Sequence, residues 1–186
     1  DPLWSRGLGD VYKRQVKNRW HSFTLSVNYR TPAQIMEASS GVLAEINPTA
    51  QQPRSIRRSA YDVELIDRAD NTWLVVLQQT VHHMQNFHPG EKRTCGILVS
   101  PAVMGDLQAV MDTTILDRTV LDAAVSLVQD AKGLEFDYVI IADPVGMVEA
   151  SPQGLNDLFV AMTRATQALA IVHDGAVPYC LSDLVE

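Results

Sequence analysis

The sequence predicts an α/β fold, a parallel sheet with helices on both faces. Three observations carry that expectation. Short unbroken apolar runs, at residues 96–99 and 138–142, read as strands buried on both sides. Stretches with apolar residues at helical spacing lie between such runs. The two kinds of segment alternate along the 186 residues, the order that a parallel sheet with crossover helices requires.

Taken in order, residues 22–30 alternate apolar and polar (Phe23, Leu25, Val27, Tyr29), the pattern of a strand. Thr31-Pro32-Ala33-Gln34 then predicts a helix start, with Thr31 as N-cap, Pro32 in the first helical position and Gln34 closing a capping box. Ile35, Ala38, Val42 and Ile46 continue at helical spacing until Asn47-Pro48 stops the run. Residues 48–59 are polar and basic and read as a loop. A short strand is expected over 61–66, then a helix over 71–87 with Leu74, Leu77, Val81 and Met84 on one stripe. Residues 94–100 form a buried strand, and Pro101 opens a helix through Met111. Strands over 124–129 and 137–142 flank a turn at 130–136. A helix over 151–165 and a strand over 168–173 complete the pattern.

Composition bounds the function. Hydrophobic residues are 46% and charged residues 20%, enough apolar content for one domain with a sizeable core. The apolar runs are far too short to cross a bilayer, and no secretory signal opens the chain. Cys95 and Cys180 lie far apart and match no metal or disulfide spacing, so a reducing cytoplasm is the default location. The net charge is -7, whereas a domain that grips duplex DNA through its own surface usually carries a basic excess. Any nucleic-acid contact is therefore expected to be local, shared with other domains, or absent.

Residues 1–15 start without methionine and show no apolar periodicity, and Asp10-Val11-Tyr12-Lys13-Arg14-Gln15 resembles a translated transposon end used in sequencing libraries. They are read as a non-native assembly scar, a disordered native arm being the alternative. Excluding their three basic and two acidic residues leaves 12 basic against 20 acidic, so the acidic balance stands. Residues 16–186 are expected to form a single domain, with a native gene that continues upstream of Val16.

Three segments carry chemistry. Asn28-Tyr29-Arg30-Thr31-Pro32 puts an arginine where a strand ends and a helix begins, the edge at which an open parallel sheet is expected to bind ligands, and planar charge-assisted donors there can meet phosphate oxygens. Locally, a surface ion pair explains Arg30 as well. Ala131-Lys132-Gly133-Leu134-Glu135-Phe136-Asp137 reads as a tight turn between two nearby strands. Read alone, it is an ordinary hairpin-like turn with exposed Lys132 and Glu135. Val160-Ala161-Met162-Thr163-Arg164-Ala165 ends a helix whose stripe is Leu155, Leu158, Phe159 and Met162. Arg164 falls roughly half a turn from Leu155, and no carboxylate lies within one helical turn of it. A partner arriving from outside would explain it, and so would a solvated arginine at a helix end.

In this order, the three segments resemble motifs IV, V and VI of UvrD-like superfamily 1 helicases, and they span nearly all of residues 16–173. The resemblance implies a RecA-like parallel sheet and the second motor domain of a helicase-type ATPase. It implies Arg164 and Arg30 as catalytic arginines closing on ATP, with Gly133 and Glu135 beside the nucleotide and Glu135 on the ribose. Lys132 and Thr163 would couple that site to the nucleic-acid path. UvrD-like motif V often has a His two positions before its Ala, where this chain has Gln129.

No Gly-x-x-x-x-Gly-Lys-[Ser/Thr] phosphate loop occurs, and Asp143 has no second carboxylate beside it to hold Mg²⁺. The resemblance therefore implies ATP with Mg²⁺ held mainly by an N-terminal RecA-like domain of the same parent protein, this domain being inactive alone. Its target would be single-stranded DNA or, as in HelD-like ATPases, RNA polymerase. Residues 27–36 and 135–140 look closer to HelD-like sequences, and the acidic balance suits a protein partner. A decayed RecA-like binding module and an unrelated flavodoxin-like domain are the alternatives from other classes. His82, His83 and His88 read as a solvated or partly buried cluster before a metal site, and Arg54, Arg57 and Arg58 as a solvated loop before a phosphate contact.

Overall fold

A computed structural model describes residues 26–113 and 123–185. A short parallel ribbon pairs β1 (Val27–Asn28) with β2 (Arg54–Ser55). The main sheet holds β3 (Glu64–Asp67), β4 (Cys95–Val99), β5 (Ala124–Leu127), β6 (Phe136–Ala142) and β7 (Ala165–His173). All four of its pairings are parallel, in the order β3-β7-β6-β4-β5. The helices are α1 (Ala33–Ala38), α2 (Ser40–Ile46), α3 (Trp73–Gln85), α4 (Pro101–Thr113), α5 (Pro144–Glu149) and α6 (Gly154–Met162). A 3-10 segment spans Tyr179–Leu184.

The two faces of the sheet follow from strand alternation. Val139, Ile141, Leu169 and Ile171 point to one side and pack with Ile35 of α1, Val42 of α2, and Leu158 and Met162 of α6. Tyr138, Ile140, Ala142, Ala170 and Val172 point to the other and meet Leu77, Val81 and Met84 of α3 and Val103 and Leu107 of α4. Covering both faces removes water from every central strand, which is why these strands read as continuous apolar runs. Each fully buried large side chain is worth about 1.5–3 kcal/mol relative to exposure. Cys95 and Cys180 are buried in opposite clusters and form no disulfide with each other. Among the described residues, no helix is long and apolar enough to cross a membrane.

Several expectations need correction. The helix predicted from Ile35 to Ile46 breaks at Ser39, whose buried hydroxyl donates to the Met36 carbonyl at 2.9 Å. Thr31 is not the N-cap: Pro32 occupies that position without a side-chain cap, and Thr31 is 2% exposed. Gln34 closes no capping box. Its amide bridges to the next segment, Nε2 donating to the Ser59 carbonyl at 2.6 Å and Oε1 accepting the Ser59 N–H at 3.0 Å. The predicted loop 48–59 contributes β2, and residues 22–25 of the first predicted strand lie outside the described residues.

The segment between β5 and β6 is not a hairpin turn. Both strands flank β4, so residues 128–135 cross from one side of it to the other. Val128 and Ala131 anchor that crossing in the core. The helix predicted over 151–165 ends at Met162, and the last strand begins at Ala165 instead of Ala168. Pairing wins here: the Phe136 N–H donates to the Arg164 carbonyl at 3.1 Å, and Ala165 sits opposite Phe136. Tertiary hydrogen bonds override the helical periodicity of the sequence.

Candidate functional site

The first segment is a side-chain-stabilised turn. Asn28 Oδ1 accepts the N–H groups of Arg30 at 2.9 Å and Thr31 at 3.1 Å, while the Thr31 carbonyl accepts the Ser55 hydroxyl at 2.5 Å. This Asx arrangement fixes the backbone on both sides of Arg30. Arg30 follows the end of β1, in the small ribbon, and not a strand of the main sheet. Its guanidinium is half exposed and meets Glu135 Oε1 at 2.5 Å, the carboxylate being 40% exposed.

Glu135 stands at the end of the crossing segment, immediately before β6. Gly133 has φ +86, a left-handed conformation that costs an L residue about 1–2 kcal/mol. It lets the Leu134 N–H return to the Ala131 carbonyl at 3.0 Å and the chain straighten into β6. Lys132, Gly133, Leu134 and Glu135 are all exposed, and Lys132 makes no ion pair among the described residues.

Arg164 occupies the turn between α6 and β7, not the helix itself. It has no carboxylate partner among the described residues, as the sequence indicated, but its donors are not idle. Nε donates to the Val160 carbonyl at 3.3 Å and Nη1 to the Leu134 carbonyl at 3.2 Å. The Thr163 hydroxyl turns back onto the helix end, shared by the carbonyls of Phe159 at 3.0 Å and Val160 at 3.1 Å. It acts in this structure as a C-terminal cap.

These contacts bring Arg30, Gly133, Glu135 and Arg164 together, with Lys132 beside them. The meeting place is the edge where β6 and β7 begin, since Glu135 and Arg164 immediately precede paired strand starts. Ligands in open α/β sheets are usually met at the other edge, beyond the strand ends. That edge carries Asp143, weighed from the sequence only as a Mg²⁺ carboxylate. Asp143, at φ 58 and ψ 69, caps α5 by accepting the Gly146 N–H at 2.9 Å. Its other oxygen accepts the Ser100 hydroxyl at 2.7 Å, and Ser100 Oγ accepts the Val103 N–H at 3.2 Å in the first turn of α4. One N–H at each of two helix starts is thus capped by one of the chain's own side chains. The Asp-Pro step at 143–144 following a buried strand was the sequence signal for this cap.

Two of the three histidines have structural partners. His83 pairs with Glu64 at 3.0 Å, and His88 Nδ1 lies 2.5 Å from the buried Tyr138 hydroxyl. His82 is exposed, and among the described residues no three His, Cys, Asp or Glu side chains are grouped to hold a metal ion. Along 54–58 exposure alternates, placing Arg54, Ile56 and Arg58 outward and Ser55 and Arg57 partly inward. Asp137 anchors the start of β6: it accepts the Thr94 N–H at 2.9 Å, the Thr94 hydroxyl at 3.0 Å and Arg93 Nη1 at 3.3 Å. Burial raises the pKa of its carboxyl, but the Thr94 bonds and Arg93 outweigh burial and hold it below 3.8.

Fold and site define an α/β domain with a fully parallel main sheet, two arginines at one strand-start edge, and no phosphate loop. Residues 122–172 match the UvrD-like helicase C-terminal domain family, a span that includes both the crossing segment and the Arg164 turn. The UvrD-like resemblance read from the sequence is thereby supported on that span. The C-terminal domain of a possible DNA helicase from Lactobacillus plantarum WCFS1 shares the fold, with a TM-score of 0.52 at 20% identity over 83% of this chain and 92% of that one. FlaH, a flagellar accessory protein from Methanocaldococcus jannaschii, gives a TM-score of 0.33 at 10% identity over 66% of each chain, too low to carry an argument. No curated protein matches the chain.

Proposed function

We propose that this chain is the second motor domain of an ATP-dependent UvrD-like DNA helicase or translocase, lending arginines to ATP held by an N-terminal RecA-like domain. One observation carries the reading. Three segments far apart in sequence converge, Arg30 on Glu135 at 2.5 Å and Arg164 on the neighbouring Leu134 carbonyl at 3.2 Å. Purely structural roles for both arginines would not require them to flank one exposed loop.

The residues fit a nucleotide approached from outside. Arg30 has a half-exposed guanidinium, Glu135 an accessible carboxylate, and Arg164 a charge that no carboxylate among the described residues neutralises. ATP with Mg²⁺ supplies the phosphoanhydride to be cleaved. Toward it, Arg30 and Arg164 offer planar N–H donors to phosphate oxygens, and Glu135 offers an acceptor to sugar hydroxyls. The Gly133 backbone sets where Glu135 stands. Lys132 stands on the exposed loop, where it would meet a bound strand, whereas Thr163 is half-buried with its hydroxyl on the helix end and would act through the turn that carries Arg164. An arginine that stabilises charge on the transferred phosphoryl contributes about 10³–10⁵ in rate.

The test is to join this chain to its natural N-terminal half and follow phosphate release. Turnover should appear only in the joined protein. Arg164→Ala should lower kcat at least about tenfold with little change in the KM for ATP. An unchanged kcat would remove Arg164 from the chemistry. A second reading keeps the same motor but directs it at RNA polymerase, in the manner of HelD-like ATPases. The net charge of -7 favours it, since an acidic surface suits a protein partner better than bare DNA. Stimulation of turnover by single-stranded DNA, compared with stimulation by purified polymerase, separates the two.

A further inference from the structure

Arg30 and Glu135 are assigned opposite partners by the proposed function, phosphate oxygens for one and sugar hydroxyls for the other. In the structure they hold each other, Nη1 to Oε1 at 2.5 Å. Neither has another ion-pair partner among the described residues, and Lys132 is not paired with the carboxylate either. A phosphate that claims the Nη1 donor of Arg30 competes with Glu135 for it, and a displaced carboxylate is then left without its cation.

We propose that the Arg30–Glu135 pair is a specificity latch, which admits phosphates that carry a sugar in preference to phosphates that do not. The proposal rests on the reading of this edge as nucleotide-facing. The exchange is balanced for a nucleoside triphosphate: the guanidinium trades a carboxylate for phosphate oxygens, and the carboxylate trades a guanidinium for hydroxyl donors. Bare polyphosphate completes only half of it. It strips Glu135 and returns nothing, while the two anions are left close together.

The backbone supports an exchange instead of a permanent bridge. Arg30 is set by the Asn28 turn and Glu135 by the Gly133 crossing and the β6 start, so neither chain segment depends on the ion pair for its shape. Both side chains stay substantially exposed, at 53% and 40%, so the pair is weak and readily broken. An exposed pair of this kind is worth at most about fivefold in an equilibrium at low salt, and salt screens it. That sets the size of the discrimination to be sought.

The experiment titrates the chain joined to its natural N-terminal half, without Mg²⁺ so that ATP is not cleaved, and follows the Arg30 and Arg164 guanidinium resonances by NMR. The probes are inorganic tripolyphosphate, ATP and 2′,3′-dideoxy-ATP. Glu135→Gln should tighten tripolyphosphate and dideoxy-ATP by about two- to fivefold, and leave ATP unimproved or weakened. The gain should vanish near ~1 M salt, where the Debye length is about 3 Å. In an Arg30→Ala background, Glu135→Gln should no longer change the affinity for any of the three ligands. Equal tightening of ATP and tripolyphosphate by Glu135→Gln overturns the latch while leaving the arginine reading intact. Failure of all three ligands to perturb either arginine, even at low salt, overturns both. Because the side chains are exposed, these variants should fold; a variant that does not is replaced by Glu135→Asp, whose shorter reach should give a smaller gain of the same sign.

Discussion

Gly96 lies on β4 directly beneath the ring of Phe136. A Cβ at this position would stand 2.5 Å from Phe136 Cδ2, 2.7 Å from Cε2 and 2.8 Å from Cγ. All three are closer than carbon atoms approach, so Gly96→Ala must push the ring, which is 9% exposed and walled by the core cluster of its face. Inserting one carbon into a packed core costs about 1–3 kcal/mol, and restricting the unfolded chain returns about 0.4–1 kcal/mol. The net loss is about 1–2 kcal/mol, or roughly 2–8 °C in Tm for a domain of this size. Urea unfolding followed by circular dichroism measures it. The cause is tested by Phe136→Leu: in the double variant the Gly96→Ala penalty should shrink by at least about 1 kcal/mol. If Gly96→Ala is neutral, or if its cost is unchanged in the Phe136→Leu background, the packing of Phe136 over β4 is wrong. The position bears on the candidate site because Phe136 follows Glu135 and its N–H holds the Arg164 carbonyl.

The other predictions concern the site and its supports. Gly133→Ala should cost about 1 kcal/mol through backbone strain alone, since nothing lies within 4 Å of the added carbon, and Gly133→Asn should recover part of it; chemical denaturation of the pair decides. Arg164→Ala should lower stability by about 1–2 kcal/mol, because two charge-assisted bonds to carbonyls are lost, whereas Arg30→Ala should cost less than about 1 kcal/mol; melting curves giving the reverse order would contradict the contacts assigned here. Asp137 contributes stability that is complete above pH 3.8 and is lost as pH falls through its lowered folded value, so Asp137→Asn should flatten the acid limb of the stability curve measured between neutral and strongly acid pH.

How much was legible beforehand depended on the range of the interaction. The central strands announced themselves because burial on both faces leaves almost no polar residue in them, and β4 and β6 fall within a residue of expectation. The helix of Leu77, Val81 and Met84 was equally plain from its stripe. What failed was decided by partners distant in sequence. The capping box at Thr31 and Gln34 fits local rules, yet Ser59 claims the Gln34 amide from 25 residues away. The residues that follow Met162 are compatible with further helix, yet pairing with β6 converts Ala165 to strand.

The same limit explains the two arginines. Inspecting neighbours within one turn correctly found no carboxylate for Arg164, but the Leu134 carbonyl that receives it lies 30 residues back. Arg30 was open to either a surface ion pair or a phosphate, and the structure supplies the ion pair without excluding the phosphate. Its partner is Glu135 of the motif V segment, the residue that the resemblance places on the ribose of the same nucleotide. A solvated arginine serving only solubility would gain nothing from that choice. An arginine that must be held in place between ligands, and then released, gains a weak and exposed partner that costs little to leave. On the proposed reading, the local ambiguity between surface ion pair and ligand-binding arginine therefore dissolves: the ion pair is the resting form of the binding residue.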